Sequence, residues 1–249
     1  MGSRLAVEIQ RQFKGQARLI GIYDKNQATA SKLSGSFRPS VPILSVRTLF
    51  QRCQLIIEAA SPSAVAELLP LAVAQRKSMV IMSSGGLIQN CRLFRKALAK
   101  RIPIYVPSGA VVGIDGIKAG FMGKLRSVTL TTRKPPRALQ SIRLETLRRP
   151  KIIFQGSALD AIKAFPQNIN VAATLSLAGI GSAKTFVRLI ADPSVRTNTH
   201  EIKAVGDFGT IYTRAENVPS PDNPRTSHLA VLSAIACLKQ IFQPVRVGT

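Results

Sequence analysis

The sequence contains no tryptophan, only three cysteines and no long uninterrupted apolar run. Cys53, Cys91 and Cys237 lie far apart without a CxxC pair, which favours reduced thiols over a disulfide framework or a metal site. The longest apolar candidate, residues 171–180, is much shorter than the roughly 20 residues of a membrane span. Arg4 and Glu8 interrupt the apolar stretch that a signal peptide needs. We therefore predict a cytoplasmic protein with no membrane partner and no bound metal.

Acidic residues are also scarce, with 12 Asp and Glu against 35 Lys and Arg, so the formal net charge is +23. Such a balance suggests nucleic acid as a partner. The basic residues, however, are spread over almost every segment, without a basic tail, an RNP-like aromatic motif or zinc-finger spacing. We therefore expect a generally basic surface that attracts anionic substrates, and we keep polyanion binding as the alternative.

The first half of the chain alternates short apolar runs with helical spacing. We predict helices over residues 3–13 and 63–75 and from Gly86 to Lys100. Strands are predicted at residues 17–23, 42–46, 54–60, 78–82 and 103–106. This alternation indicates a parallel sheet covered on both faces, as in a doubly wound nucleotide-binding domain.

The second half has a different rhythm, because its strands follow one another more directly. Strands are predicted at residues 127–132, 185–190, 201–205 and 210–213, and helices at 113–123, 158–165, 171–177 and 226–242. This order predicts an α/β domain with a mixed or antiparallel sheet.

One acidic residue, Asp24, and its basic neighbour, Lys25, suggest contacts with a dinucleotide. Asp24 ends a strand candidate 22 positions after Gly2, and an acidic residue at about that distance from a glycine turn binds the ribose hydroxyls in dinucleotide enzymes. The alternative is an ordinary turn residue. Lys25, next to Asp24, is a cation that is compatible with the 2′-phosphate of NADP, so the choice between NAD and NADP stays open.

His200 is the leading catalytic candidate. A dehydrogenase usually needs a group that titrates near neutral pH to move the substrate proton, and His200 lies between a turn and a strand. The alternative is a structural histidine, which is how we interpret His228 at the start of the last helix. Ser108, Gly109 and Ala110 follow a strand, where backbone N–H groups can face an anion or a carboxamide.

Six ordered stretches are more specific than any single residue. They are EAASPSAV (58–65), IYVPSGAVVGIDGIKA (104–119), TTRKPP (131–136), FPQNINVAATLSLAGIG (165–181), ADPSVRTNTHEI (191–202) and NPRTSHLA (223–230). With these stretches the chain resembles the L-aspartate dehydrogenase family over essentially its whole length.

The resemblance implies a Rossmann-type parallel sheet followed by an α/β catalytic domain, and a homodimer. We predict a dinucleotide-binding domain over 1–107, a catalytic and dimerisation domain over 108–225, and a C-terminal helix over 226–249 that packs back on the first. The implied reaction is NAD- or NADP-dependent oxidation of L-aspartate to iminoaspartate, which hydrolyses to oxaloacetate and ammonia. In the family, iminoaspartate also feeds NAD biosynthesis.

The resemblance also implies roles for single residues. His200 matches the family's catalytic histidine, which assists proton transfer at the substrate amine or the attacking water. Ala110 and Asn170 match positions that contact the cofactor. Arg133 and Lys134 are expected partners of a substrate carboxylate because of their charge, and Asn198 is expected to orient substrate beside His200.

The chain departs from the family pattern at its N-terminus. Gly2 matches the last glycine of the GxGxxG motif, while the first strand and the first two glycines are absent. We expect weakened cofactor binding and stability from this loss, because that strand lies centrally in the sheet. Three hypotheses follow: an aspartate dehydrogenase whose start lies upstream, a truncated and poorly active homologue, and a basic non-catalytic binding protein on the same fold.

Overall fold

The computed structural model describes residues 1–139, 147–165, 170–221 and 223–248. The chain divides into two compact units. Unit 1 comprises Met1–Val106 and Ile235–Val245, and unit 2 comprises Pro107–Ala234 and Arg246–Thr249. Within the described ranges, no helix combines the length and the apolar character that crossing a bilayer requires.

Unit 1 is built on a parallel sheet with helices, as its alternating sequence predicts. Its elements are α1 (Gly2–Gln12), α2 (Gln27–Gly35), α3 (Val46–Arg52), β1 (Leu55–Glu58), α4 (Pro62–Gln75), β2 (Ser78–Ile81), α5 (Gly85–Gln89), α6 (Cys91–Ala99) and β3 (Ile104–Tyr105). The three strands are parallel, and β2 is the middle one. Met79, Val80 and Ile81 are fully buried, because a central parallel strand has both faces covered.

Local sequence explains where α4 begins and ends. The Ser61 hydroxyl caps its first turn by accepting a hydrogen bond from the Ala64 N–H at 3.2 Å, and Pro62 occupies the first turn, where its missing N–H costs nothing. The helix ends at Arg76, which adopts a left-handed backbone conformation. One side of α4 buries Val65, Leu69 and Ala72 completely, which holds the helix in the core.

The predicted strands at 17–23 and 42–46 are wrong in extent. They form a single bridge, in which the Ile22 N–H donates to the Pro42 carbonyl and the Leu44 N–H donates to the Ile22 carbonyl, both at 3.0 Å. Pro42 has no N–H to extend the pairing. The next residue after Leu44, Ser45, caps α3 by accepting from the Thr48 N–H, so the extended segment ends there.

One further sequence prediction needs correction, and two helices were not predicted at all. The helix predicted from Gly86 to Lys100 is two helices, α5 and α6, separated at Asn90. α2 and α3 were not predicted, because neither presents a long apolar stripe.

The Phe13 and Phe242 rings, at opposite ends of the sequence, meet edge to face at 5.4 Å within unit 1.

Unit 2 contains a mixed sheet, which confirms the predicted class. Its elements are α7 (Ile114–Met122), β4 (Leu125–Lys134), a 3₁₀ turn (Pro136–Ala138), β5 (Lys151–Ser157), α8 (Ala158–Ala164), α9 (Asn170–Ala178), β6 (Phe186–Ala191), β7 (Asn198–Gly206), β8 (Gly209–Asn217), β9 (Pro219–Ser220), β10 (Asn223–Ser227) and α10 (His228–Phe242), whose last residues belong to unit 1. The large sheet has the order β5-β6-β4-β7-β8, in which only β4 and β6 pair in parallel. β5 was missed by the sequence analysis.

The five-stranded sheet has two different faces. Side chains alternate along β4, so Leu130, Thr132 and Lys134 share one face, which we call the buried face. Arg133 and Thr131 point to the other face. Residues that stand directly opposite across a strand pair share a face, and the β4–β7 register therefore adds His200 to the buried face.

Candidate active site

His200 lies on β7 directly opposite Thr132 on β4. Its Nδ1 is 2.9 Å from the Thr132 Oγ1, a hydrogen bond between two buried side chains. Only 5% of His200 remains exposed. Because Nδ1 is engaged, Nε2 is the ring nitrogen that can bind a ligand.

The surroundings of His200 hold its imidazole neutral. Burial, and secondly the nearby positive charge of Lys134, lower the pKa of His200 to about 3. The protonated ring would lose hydration and meet a like charge, and both effects oppose protonation. The sequence predicts a histidine that titrates near neutral pH, whereas burial and the charge of Lys134 favour the neutral imidazole and lower its pKa.

Lys134 lies two residues beyond Thr132 on the buried face, and only 7% of it is exposed. Burial lowers the pKa of its ammonium group to about 8. Lys134 thus changes its charge in the pH range where His200 does not. A strongly shifted group beside a second candidate residue is typical of a functional site.

Arg133 lies on the opposite face of the sheet from His200, because neighbouring residues of a strand point to opposite sides. Its guanidinium pairs with the Asp192 carboxylate at 3.3 Å, and Glu201 lies 3.9 Å from it. Burial alone would raise the pKa of Asp192, but hydrogen bonds from Ser194 and Arg133 outweigh that effect and lower it. The two cations predicted to act together are therefore separated, and only Lys134 accompanies His200.

Asn198 and Asn217 extend the buried face toward the Ser108–Ala110 loop. Asn198 shares the face with His200 because it lies two residues before it on β7, and it pairs directly with Asn217 on β8. The Asn217 Nδ2 donates to the Ala110 carbonyl at 3.0 Å. Asn217 was not identified from the sequence, and its link to Ala110 crosses 107 positions.

The loop around Ala110 has part of its backbone already engaged. Gly109 adopts a φ of 74°, a left-handed conformation that favours glycine, and its N–H donates to the Ser233 hydroxyl at 3.0 Å. Ala110 is buried. One N–H of the loop, that of Gly109, is thus engaged within the protein, and the Ala110 carbonyl accepts from Asn217.

A small cleft opens on the buried face beside Thr132. Its walls are Leu130, Thr132, Phe154, Phe165, Val171, Ala172, Val187 and Leu189. Asn170 begins α9 next to two of these residues. The cleft therefore brings the start of α9 close to the Thr132–His200 pair, whereas residues 166–169 of the same motif lie outside the described residues.

In unit 1, Asp24 is exposed and has a turn function. One of its carboxylate oxygens accepts the Asn26 N–H at 2.8 Å, which still leaves the second oxygen for ribose hydroxyls. Lys25 forms an exposed ion pair with Glu67 at 2.9 Å, so a 2′-phosphate would have to compete for it. Gly2 begins α1, whose first turn receives no side-chain cap. These residues fit a bound dinucleotide, because a helix N-terminus favours phosphate.

Glu58 is a buried residue of unit 1 that the sequence analysis did not single out as a site. Its carboxylate accepts four hydrogen bonds, from the Ala60 N–H, the Ser61 N–H, and both the N–H and the hydroxyl of Ser83, at 2.7–3.0 Å. Glu58 thereby joins the loops that follow β1 and β2. In open parallel sheets, nucleotides bind at these carboxyl ends of the strands.

The described residues contain no group of three or more His, Cys, Asp and Glu side chains that could hold a metal ion. The three cysteines are free thiols.

Comparison with known proteins assigns each half of the chain. Residues 1–107 match the family model "Homoserine dehydrogenase, NAD binding domain", and residues 115–241 match "Aspartate dehydrogenase, C-terminal". Together with the parallel sheet of unit 1 and the mixed sheet of unit 2, these matches define a Rossmann-type NAD-binding dehydrogenase.

Individual relatives identify the family within this class of dehydrogenases. The chain is 44% identical to an L-aspartate dehydrogenase of Methanosarcina barkeri and 42% identical to one of Methanocella arvoryzae, in each case over 94% of this chain and 90% of the relative. The crystal structure of aspartate dehydrogenase from Thermotoga maritima superimposes with a TM-score of 0.74 at 25% identity, covering 96% of this chain and 95% of that one. The chain belongs to the aspartate dehydrogenase family.

Proposed function

We propose that this protein oxidises L-aspartate to iminoaspartate with NAD or NADP as the electron acceptor. Iminoaspartate then reacts with water to give oxaloacetate and ammonia, and it is also available for NAD biosynthesis. The observation that carries the proposal is the buried His200, held by Thr132 and accompanied by Lys134, in a chain of the aspartate dehydrogenase family.

The cofactor, when bound, accepts a hydride from the substrate Cα. We propose that Gly2 and Asp24 bind its adenosine half, through the N-terminus of α1 and the free carboxylate oxygen, respectively. We propose that Ala110 and Asn170 contact its nicotinamide half. Support for Ala110 comes from Asn217, which ties the Ala110 loop to the sheet that carries His200.

His200 is the proposed catalytic residue. Its Nδ1 is engaged by Thr132, so its Nε2 contacts the reacting nitrogen of the substrate or the water that attacks the imine. Lys134 and Asn198 lie on the same face and are proposed to contact the substrate. Arg133 was expected to bind a substrate carboxylate, but it lies on the other face of the sheet and already pairs with Asp192. We therefore assign the contact with a substrate carboxylate to Lys134 alone.

The test is an absorbance assay of NADH or NADPH formation with L-aspartate, using each cofactor in turn. His200→Ala should lower kcat by about 100-fold or more, the usual range for a group that takes part in proton transfer. His228→Asn is the matched control, because His228 is the only other histidine and begins α10. A folded wild-type protein that forms no reduced cofactor from L-aspartate would contradict the proposal.

Two further features stay predictions. The family resemblance favours a homodimer and a cytoplasmic location. Light scattering of the purified protein measures its mass in solution directly, and a monomer at micromolar concentration would contradict the first prediction.

A further inference from the structure

We propose that unit 1 binds the phosphate backbone of nucleic acid, without reading its sequence, at the end of its sheet where β1, β2 and β3 begin. This end lies opposite the carboxyl ends of the strands, where the cofactor is proposed to bind, and the proposal does not depend on the dehydrogenase reaction. The cations involved, which we call the amino-end patch, are Arg52, Arg76, Lys77, Lys100 and Arg101.

The parallel sheet gathers these cations, although they are far apart along the sequence. Because β1, β2 and β3 run in the same direction, the connections that lead into them lie at the same end of the sheet. Arg52 ends α3 just before β1, and Arg76 and Lys77 connect α4 to β2. Lys100 and Arg101 lie between α6 and β3. Basic residues that are spread over the sequence are thus concentrated by the topology.

Individual contacts support this grouping. Burial, the largest effect, raises the pKa of the Cys53 thiol, and the positive charges of Lys77 and Arg52 act in the opposite direction, so both cations lie near one sulfur atom. The Lys100 ammonium donates to the Val73 carbonyl at 3.4 Å, in the last turn of α4. The connection before β2 is therefore a neighbour of both the connection before β1 and the connection before β3.

No carboxylate offsets the charge of the amino-end patch. The connections contain no Asp or Glu, and none of the five cations forms an ion pair within the part of the chain that the structure describes. Four of them are exposed, and Lys77 is partly buried. At the opposite end of the sheet, residues 59–61 and 82–84 follow β1 and β2 and contain no Lys or Arg. The patch is therefore placed away from a cofactor at the carboxyl ends.

Arg76 and Arg101 occupy backbone positions that favour glycine. Their φ angles are 53° and 54°, and no other residue besides glycine has a positive φ among those described. Both follow a helix in the same way, because the N–H of the next residue donates to the carbonyl five positions before it, at 3.1 Å in each case. Glycine is the usual residue at such a helix end. Arginine at both positions indicates a function for the side chains, since strained residues cluster at functional sites.

The chemistry of the amino-end patch favours nucleic acid over a lipid surface or a protein. Guanidinium groups form paired hydrogen bonds with phosphate. Neighbouring strands lie about 4.8 Å apart, of the same order as the roughly 3.4 Å between successive charges along one nucleic-acid strand. Ile102, in the connection before β3, is buried, and Leu98 on α6 is a single exposed apolar side chain. Membrane and protein partners generally contact a larger apolar area.

The three connections, residues 52–54, 76–77 and 100–103, also contain no aromatic residue. Proteins that bind unpaired bases stack them on aromatic side chains. Contacts to phosphates alone carry no sequence information. We therefore expect binding that depends on salt and not on base sequence.

A purely structural role of the cations makes a different prediction. Cations near a helix C-terminus interact favourably with the helix dipole, so their removal would destabilise the protein. If the side chains instead bind a ligand, replacing Arg76 and Arg101 by glycine relieves the left-handed conformation and weakens binding without a loss of stability.

The main experiment measures binding of a fluorescein-labelled DNA duplex of about 20 base pairs by fluorescence anisotropy, between about 50 and 200 mM salt. The double variant Arg76→Gln/Arg101→Gln should lower the affinity by about 10-fold or more at the lowest salt and reduce the slope of log K against log salt by about 2. Lys124→Gln/Arg126→Gln, two exposed cations of unit 2, removes the same charge and should change the affinity by less than about 3-fold.

Two results of this titration would overturn the proposal. Equal losses in the two double variants would show that overall charge, and not the amino-end patch, attracts the duplex. A wild-type protein that leaves the anisotropy unchanged at the lowest salt would show that no such binding exists. A second duplex of unrelated sequence should bind with the same affinity, and a strong preference for one duplex would contradict readout of phosphates alone.

A second variant and a second ligand separate the alternatives. Arg76→Gly/Arg101→Gly should weaken duplex binding as the glutamine variant does, with a Tm at or above that of wild type. A lower Tm with unchanged duplex binding would assign both arginines to the helix ends. Loss of sedimentation with anionic phospholipid vesicles, while duplex binding is unchanged, would favour a membrane surface instead. Oxidation of L-aspartate should be equal in all variants, so its absence would refute the proposed function alone.

Discussion

The Thr132 hydroxyl lies 2.9 Å from the Nδ1 of His200, and the two residues face each other across β4 and β7. This bond fixes which ring nitrogen of His200 stays available, since an imidazole held at Nδ1 presents Nε2. Thr132 is therefore a positioning residue for His200. It belongs to the TTRKPP stretch, but the sequence analysis singled out only the cations of that stretch.

Removing the Thr132 hydroxyl should reduce catalysis more than stability. We expect Thr132→Val, which has the same shape, to lower kcat by about 10-fold or more while changing KM for L-aspartate little, because the imidazole loses its orientation. Thr132→Ser should restore much of the loss. Thr131→Val, on the opposite face of the same strand, is the control. Equal effects of the Thr132 and Thr131 variants would show that no positioning role exists.

Burial of Lys134 should cost stability below pH 8. Folded Lys134 releases its proton at about pH 8, against 10.5 for an exposed lysine, so between these values the unfolded chain binds more protons and stability rises with pH. The stability of Lys134→Met relative to wild type should therefore fall by up to about 3 kcal/mol as the pH rises from about 8 to about 10.5.

Urea unfolding at several pH values measures this difference. The advantage of Lys134→Met should shrink as the pH increases from about 8 to about 10.5. An advantage that grows over this window would contradict the assigned direction of the pKa shift.

Burial of His200 should make the protein sensitive to acid. The pKa of His200 falls from 6.5 to about 3 on folding, so below pH 6.5 the unfolded chain binds more protons and stability decreases. Between pH 6.5 and 4 this loss amounts to about 3 kcal/mol. His200→Asn should lose less than wild type over that range in urea titrations. Identical slopes for His200→Asn and wild type would refute the prediction.

We expect Arg133 to contribute mainly to the stability of unit 2. Arg133→Gln leaves the buried Asp192 carboxylate without its cation, and we expect a loss of about 1–2 kcal/mol in the free energy of unfolding. Inhibition by succinate, which has both carboxylates of L-aspartate but no amine, should change less than about 3-fold, since Arg133 lies on the other face of the sheet from His200. Arg126→Gln, an exposed position on the same strand, is the control. A large loss of succinate binding in Arg133→Gln would restore its predicted role at the substrate.

Glu58 should be more important for cofactor binding than for substrate binding. Glu58→Gln replaces a carboxylate that accepts four hydrogen bonds with an amide that has only one acceptor oxygen, so the loops after β1 and β2 lose part of their connection. We expect the dissociation constant of NADH, measured by fluorescence titration, to rise several-fold. Glu216→Gln, an exposed residue on β8 of unit 2, is the control. Unchanged NADH binding would limit Glu58 to a structural role.

Much of the fold follows from local patterns. Period-two alternation in SVTLTT predicted β4, and the apolar run SMVIM predicted β2, because burial on one or two faces leaves that pattern. The strand at 17–23 was overpredicted, because strand formation also needs a partner with free N–H groups, and Pro42 lacks one. β5 was missed since its residues are only partly buried.

The sequence by itself determined the family, through six ordered motifs, and identified His200 and Lys134 as candidates. Only the tertiary structure decided that Lys134 lies on the same face of the sheet as His200. Arg133 lies on the other face and pairs with Asp192, a residue 59 positions distant. It also decided that burial lowers the pKa of both His200 and Lys134. The reason is physical: strand register and burial set which side chains meet and how well they are hydrated, and both depend on residues far apart in the chain.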